Sequence, residues 1–176
     1  TMPWSYESGL CGAKAILRQR KSLIPYLYNC AYNSVENDVP MQAPPYIYYN
    51  DENIDVNTDA FMLGRDVLAK CVLDEGVTQV SVYLPKGDDW YLNETGKLYC
   101  GASTVKVDLP SDKPVPYFIR CGSVFPVDEG ECSYKSAEKV VFTVYPVKNG
   151  KFTAHYFNDD GESFEYLKNN CVKLEF

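Results

Sequence analysis

Histidine is nearly missing from this sequence: His155 is the only one among 176 residues. Metal sites built on two imidazoles, and relays passing a proton between two histidines, are therefore excluded. No run of roughly 18 apolar residues occurs, so no membrane-spanning helix is expected. Positive charge is the minority sign. Seventeen Lys and Arg against 24 Asp and Glu leave a net charge of −7, which repels phosphate backbones and anionic lipid and argues against a nucleic-acid or membrane partner. The seven cysteines, Cys11, Cys30, Cys71, Cys100, Cys121, Cys132 and Cys171, contain no C-x-x-C pair and no repeated spacing. Such a set suits buried thiols in a reducing compartment, hence a cytoplasmic location, better than a zinc site or a disulfide framework. A G-x-S-x-G elbow, a G-x-G-x-x-G loop and a G-x-x-x-x-G-K-S/T loop are absent too.

What is present is a folded, aromatic-rich chain with 15 Tyr, 8 Phe and 45% hydrophobic residues. From about Gly12 to Ser34, Ile16, Leu23, Ile24, Leu27, Tyr28 and Ala31 form the stripe of an amphipathic helix. Pro25 removes a backbone donor inside it and predicts a kink near Lys21 and Ser22. A polar, proline-containing link runs from Glu36 to Pro45. Strands are expected beyond it over Tyr46 to Tyr49, Val67 to Leu73, Gln79 to Leu84, Leu98 to Cys100, Thr104 to Leu109 and Tyr117 to Arg120. Several short strands with regular turns argue for an antiparallel sandwich. Asp128 to Lys139 reads as an exposed loop. Val140 to Tyr145 and Lys151 to Phe157 read as a hairpin across Lys148-Asn149-Gly150, with Phe164 to Leu167 and Val172 to Phe176 extending its sheet.

Two stretches organise this region. One is Tyr83-Leu84-Pro85-Lys86-Gly87-Asp88-Asp89-Trp90-Tyr91, closing into Thr95-Gly96, and the other is Pro116-Tyr117-Phe118-Ile119-Arg120-Cys121-Gly122-Ser123-Val124-Phe125-Pro126. With Leu23-Ile24-Pro25-Tyr26-Leu27-Tyr28, Phe61-Met62-Leu63-Gly64 and Asn158-Asp159-Asp160-Gly161-Glu162-Ser163 in the same order, the chain resembles glycoside hydrolase family 31, the retaining α-glucosidases and α-xylosidases, in the region after the catalytic barrel. The resemblance implies three parts: 1–38, the last helical segment of a (β/α)₈ barrel; 39–127, a proximal β-sandwich; and 128–176, the start of a distal one. Met2 stands where the family has an acidic residue, Gln42 near a usual arginine, and Lys70-Cys71 where a strand usually ends A-P-V. Without that proline the strand can keep one more ladder hydrogen bond.

Retaining glycoside hydrolysis uses two carboxyl groups roughly 5–5.5 Å apart. The resemblance implies that both lie upstream of every segment matched here, so no catalytic, cofactor-binding or metal-binding residue is assigned in this chain. Asp159-Asp160 and Asp88-Asp89 read as turn residues rather than a catalytic or calcium pair. His155 reads as a satisfied sheet histidine and the cysteines as small buried apolar groups. Trp90, Tyr91, Tyr46, Tyr48 and Tyr49 are set against a sugar-stacking platform, with core packing as the favoured reading. The whole enzyme is then expected to take α-glucosides or α-xylosides, and this chain alone to be inactive. Its helix, without a barrel to cover, is expected to favour self-association. The competing classes are a free-standing sandwich that binds carbohydrate or a protein partner, and a thiol enzyme.

Overall fold

A computed structural model describes residues 10–109, 113–130, 139–148, 150–168 and 171–176. Cys132 and Asn149 lie outside them. The chain is mainly antiparallel β-structure preceded by two helices, α1 (Leu10–Ser22) and α2 (Ile24–Asn37). Leu23 separates them, one residue beyond the expected kink, and Leu27 N–H opens the new ladder by donating to Leu23 O at 2.9 Å. Pro25 sits in the first turn of α2, where its missing N–H costs no bond. No residue of α1 is buried, whereas α2 buries Pro25, Tyr26 and Cys30.

By packing, the chain forms two compact units, one of residues 1–20 and 42–121, the other of 21–41 and 122–176. In the first unit, β1 (Gln42–Ala43), β2 (Ala60–Leu63), β3 (Val67–Lys70), β8 (Phe118–Arg120), β5 (Trp90–Leu92) and β6 (Leu98–Tyr99) make a six-stranded sheet in that spatial order. The strands β4 (Gln79–Leu84) and β7 (Ser103–Asp108) form a separate two-stranded ladder. Alternation on the ladder turns Val82, Leu84, Val105 and Val107 inward, where they join Met62, Leu68, Trp90 and Phe118 of the sheet in one core. Full burial of each such side chain contributes about 1.5–3 kcal/mol. The β2–β3 hairpin turns at Gly64, whose φ of 58° suits glycine. The extra ladder bond expected at Lys70-Cys71 is made, by Cys71 N–H to Asp59 O at 3.0 Å.

The second unit pairs β9 (Ser123–Asp128) with β10 (Val140–Tyr145), and β11 (His155–Asn158) with β12 (Val172–Glu175). Four expectations are corrected here. Tyr46 to Tyr49 is not a strand: Pro45–Ile47 forms a 3₁₀ turn, because Pro44 and Pro45 fix φ and Tyr48 and Tyr49 N–H donate to Pro45 O at 3.1 and 3.0 Å. The strand expected over Lys151 to Phe157 pairs with β12, not β10, whose edge is taken by β9 along its whole length. Phe164 to Leu167 extends no sheet, since a 3₁₀ turn covers Glu165–Lys168. Asp128 ends β9 and is buried, with its carboxylate 3.6 Å from Lys21 Nζ and accepting from Gly130 N–H at 2.8 Å, so the exposed loop does not begin there.

Candidate functional site: an arginine fastener

Three chain segments meet in the first unit. Gly64-Arg65-Asp66 leaves β2, Gly87-Asp88-Asp89 enters β5, and Arg120 ends β8 between β3 and β5 in the sheet. Backbone bonds fix the three segments, since Arg120 N–H donates to Asp66 O and Cys121 N–H to Asp89 O, each at 2.8 Å. The guanidinium repeats this with its side chain. Its Nε and Nη2 both donate to Asp66 Oδ1, at 3.0 and 2.7 Å, and Nη1 lies 3.9 Å from Asp88 Oδ1. The other oxygen of Asp88 accepts from the Tyr49 hydroxyl at 3.0 Å.

Burial first, and then the Asp88 charge, push the Tyr49 phenol far above its ordinary value, so it remains a proton donor to that carboxylate. Burial opposes the charge on Arg120, but Asp66 outweighs it and raises the guanidinium further. Gly101 closes the same corner: its N–H donates to Asp89 Oδ1 at 3.2 Å, and a Cβ there would lie 2.6 Å from Pro85 O and would also meet Asp88 O.

A second polar knot adjoins a cavity of about 480 Å³ along Tyr46 to Val56. Asp51 Oδ2 accepts from Lys86 N–H at 2.8 Å and the Tyr83 hydroxyl at 2.7 Å, while Oδ1 accepts from Asn53 N–H at 3.0 Å. The Lys86 amide above all, with Tyr83 and Asn53, holds this carboxyl down at about 2. Residue typing could have found Asp51 only as the head of an Asn50-Asp51-Glu52-Asn53 turn. Its link to Tyr83 spans 32 positions.

The other candidates fall elsewhere. Trp90 is fully buried, with Nε1 3.4 Å from Pro85 O, and Tyr49 is buried against it at 5.8 Å between ring centroids; neither offers a face to a sugar. Tyr46 is exposed. Asp159 and Asp160 form side-chain-capped turns, accepting from Gly161, Glu162 and Ser163 N–H. His155 is exposed in β11, opposite Glu175. Cys30 and Cys121 are buried as expected, but Cys11, Cys71 and Cys100 are exposed, because the first two lie on the unburied α1 and just past β3, and the third beyond β6. Among the described residues no group of three or more His, Cys, Asp or Glu could hold a metal ion, and no helix is long and apolar enough to cross a membrane.

An antiparallel sandwich pinned by an arginine between two aspartates is thus the class that the fold and this cluster define. Residues 38–125 match the family model described as Glycosyl hydrolase family 31 C-terminal domain. The chain is 31% identical to a probable glucan 1,3-alpha-glucosidase of Arabidopsis thaliana over 99% of its own length, and 32% identical to neutral alpha-glucosidase C of Mus musculus over 96%. It covers 19% of each of those proteins. Among solved structures it is similar to the family 31 dextranase of Flavobacterium johnsoniae complexed with glucose, with a TM-score of 0.81 and 26% identity over 99% of this chain and 22% of that one. A DNJ-bound glucosidase II alpha subunit gives a TM-score of 0.85 and 25% identity over 99% of this chain and 20% of that one. The chain belongs to glycoside hydrolase family 31.

Proposed function

We propose that this chain is the C-terminal part of a retaining α-glycosidase that releases terminal α-linked glucose or xylose through a glycosyl-enzyme intermediate. The chain spans about a fifth of the α-glucosidases and of the α-xylosidase it matches, and 14% of a matching 1,6-alpha-glucosyltransferase. Its own part is mechanical. The observation that carries this is the polar bonding described above: Asp66 and Asp88 of the fastener and Asp51 of the second knot are all engaged as hydrogen-bond or ion-pair acceptors. A nucleophile or an acid/base must have an oxygen open to substrate.

The segments 1–38, 39–127 and 128–176 are proposed as lines of descent: barrel helix, proximal sandwich and start of a distal one. The compact units are groupings by packing. Ile16 and Leu17 on α1 are 52% and 59% exposed, which supports self-association of the isolated chain through that helix. A cytoplasmic site of action completes the reading.

Hydrolysis of a p-nitrophenyl α-glucoside and α-xyloside tests it. The whole protein is expected to turn over at least one of them, and the 176-residue chain neither. Turnover by the chain alone, abolished by changing one of its own carboxylates, would overturn the reading.

A further inference from the structure

In the second unit a cavity of about 260 Å³ opens where α2 runs beside β11 and β12. Helical spacing brings Asn29, Asn33 and Asn37 into one row at successive i, i+4 positions, and Glu36 joins them in the lining. Asn29 is committed to architecture. Its Nδ2 donates to His155 O at 3.1 Å and its Oδ1 accepts from Phe157 N–H at 3.2 Å, which clips β11 to the helix. Asn33 and Asn37 are joined only by a long contact of 3.5 Å. The apolar part of the lining includes buried Tyr156 and Phe157, with the Tyr32 ring stacked on Phe157 at 3.7 Å and 5°. Lys173 on β12 brings its ammonium to 5.5 Å from the Tyr32 ring.

Charge selects the class of ligand. The lining sets one ammonium, Lys173, against one carboxylate, Glu36, so an anion and a cation each meet a like charge there. Carboxamides donate and accept from one planar group, the pattern that neighbouring hydroxyls require, and the half-buried Tyr32 adds apolar surface for the C–H bonds of a ring. The volume lies just below the roughly 300–1,000 Å³ of sites for drug-sized molecules, enough for one ring with its chain running out into solvent. We infer that this cleft binds one ring of a neutral, α-linked gluco-oligosaccharide. The neutral-sugar class rests on the lining; the α-linkage rests on the activity proposed above.

Saturation-transfer NMR and calorimetry on the 176-residue chain with maltotriose test it, using Asn33→Ala and Glu36→Ala. Neither residue clips a strand, and alanine suits a helix, so both variants are expected to fold. Maltotriose is expected to bind, and each variant to weaken it roughly tenfold, the loss of one or two hydrogen bonds. No transfer, equal binding by both variants and the parent chain, or a preference for glucose 6-phosphate overturns the site. Equal binding of cellotriose overturns the linkage. Placed in the whole protein, the same variants should leave hydrolysis of the small p-nitrophenyl substrates unchanged, so failure of the cleft and failure of the hydrolase reading give different results.

Discussion

The two compact units reach stability by different means. The first has a continuous core in which Met62, Leu68, Leu84 and Trp90 are fully buried, and it adds polar fasteners at the ends of its strands. Among its described residues the second has only two-stranded ladders, and its contacts are dominated by ring pairs: Tyr26 with Phe125 at 4.4 Å, Tyr32 with Phe157 at 3.7 Å, and Phe142 with Tyr156 and Phe176, both at 4.9 Å. It also leaves Val144, Phe164, Leu167 and Val172 largely exposed. A two-stranded ladder is marginal alone, so aromatic packing and the helix must supply what a wide sheet supplies in the first unit. The first unit should therefore fail sharply at a few tight points and the second gradually.

Gly101→Ala is the strongest test of that contrast. The added methyl meets two backbone carbonyls, Pro85 O and Asp88 O, and neither can rotate away as a side chain can. A loss of about 4 kcal/mol or more is expected, visible as loss of amide-exchange protection in β4, β5 and β7. Protection in those strands equal to that of the parent chain would show that the corner yields and the sharp-failure picture is wrong.

Arg120→Met comes next. It keeps the stem but removes both bonds to Asp66 and leaves Asp66 and Asp88 without their cation. Because these side chains are 20–31% exposed, water relieves part of the loss, and about 2 kcal/mol is expected in a denaturant titration. Arg120→Lys should recover less than half of it, since an ammonium cannot make the forked contact. Full recovery by lysine would reduce the fastener to simple charge.

The corresponding change in the second unit is Asn29→Ala, which removes the clips to His155 O and Phe157 N–H. About 1–2 kcal/mol is expected, with exchange rising in β11 and β12 and the β4–β7 ladder unchanged. Equal loosening of both regions would abolish the distinction between the units.

The same contrast governs what could be read from the sequence. Gln79–Leu84 and Val140–Tyr145 form strands with the expected bounds, because alternation and β-branched residues are local signals. The partner of a strand is not local. Asn149-Gly150 argued for pairing Val140 to Tyr145 with the segment after it, yet the six-residue match with Ser123 to Asp128 takes that edge. Tyr46 to Tyr49 misled for another reason: aromatics at strand-like density serve the core from a proline-set turn. At the fastener, the F-I-R-x-G stretch made Arg120 visible, but its partner Asp66 lies 54 positions away. Motif order exposed the components and only the fold exposed the bond.

Acid titration gives the smallest effect and separates the two units once more. Asp51 is held at about 2, below its ordinary 3.8, by bonds that require the carboxylate. A depressed carboxyl contributes stability that is complete above the unfolded value and is lost as pH falls through the folded one. The contribution of Asp51 to the first unit should thus persist at neutral pH and disappear between pH 3.8 and about 2. Both carboxylate oxygens of Asp51 face donors, so Asp51→Asn sets an amide NH2 against either Lys86 and Tyr83 or Asn53, and it should lower stability at neutral pH and flatten the acid slope measured in β4. Asp160 in the second unit is also held low, by Ser163 first and then by neighbouring backbone N–H groups, but its carboxylate is exposed. Water replaces those bonds on unfolding, so Asp160→Asn should leave the slope of its own unit nearly unchanged. An Asp160→Asn effect as large as that of Asp51→Asn would mean that turn chemistry, rather than the enclosed polar knot, sets the acid sensitivity of the fold.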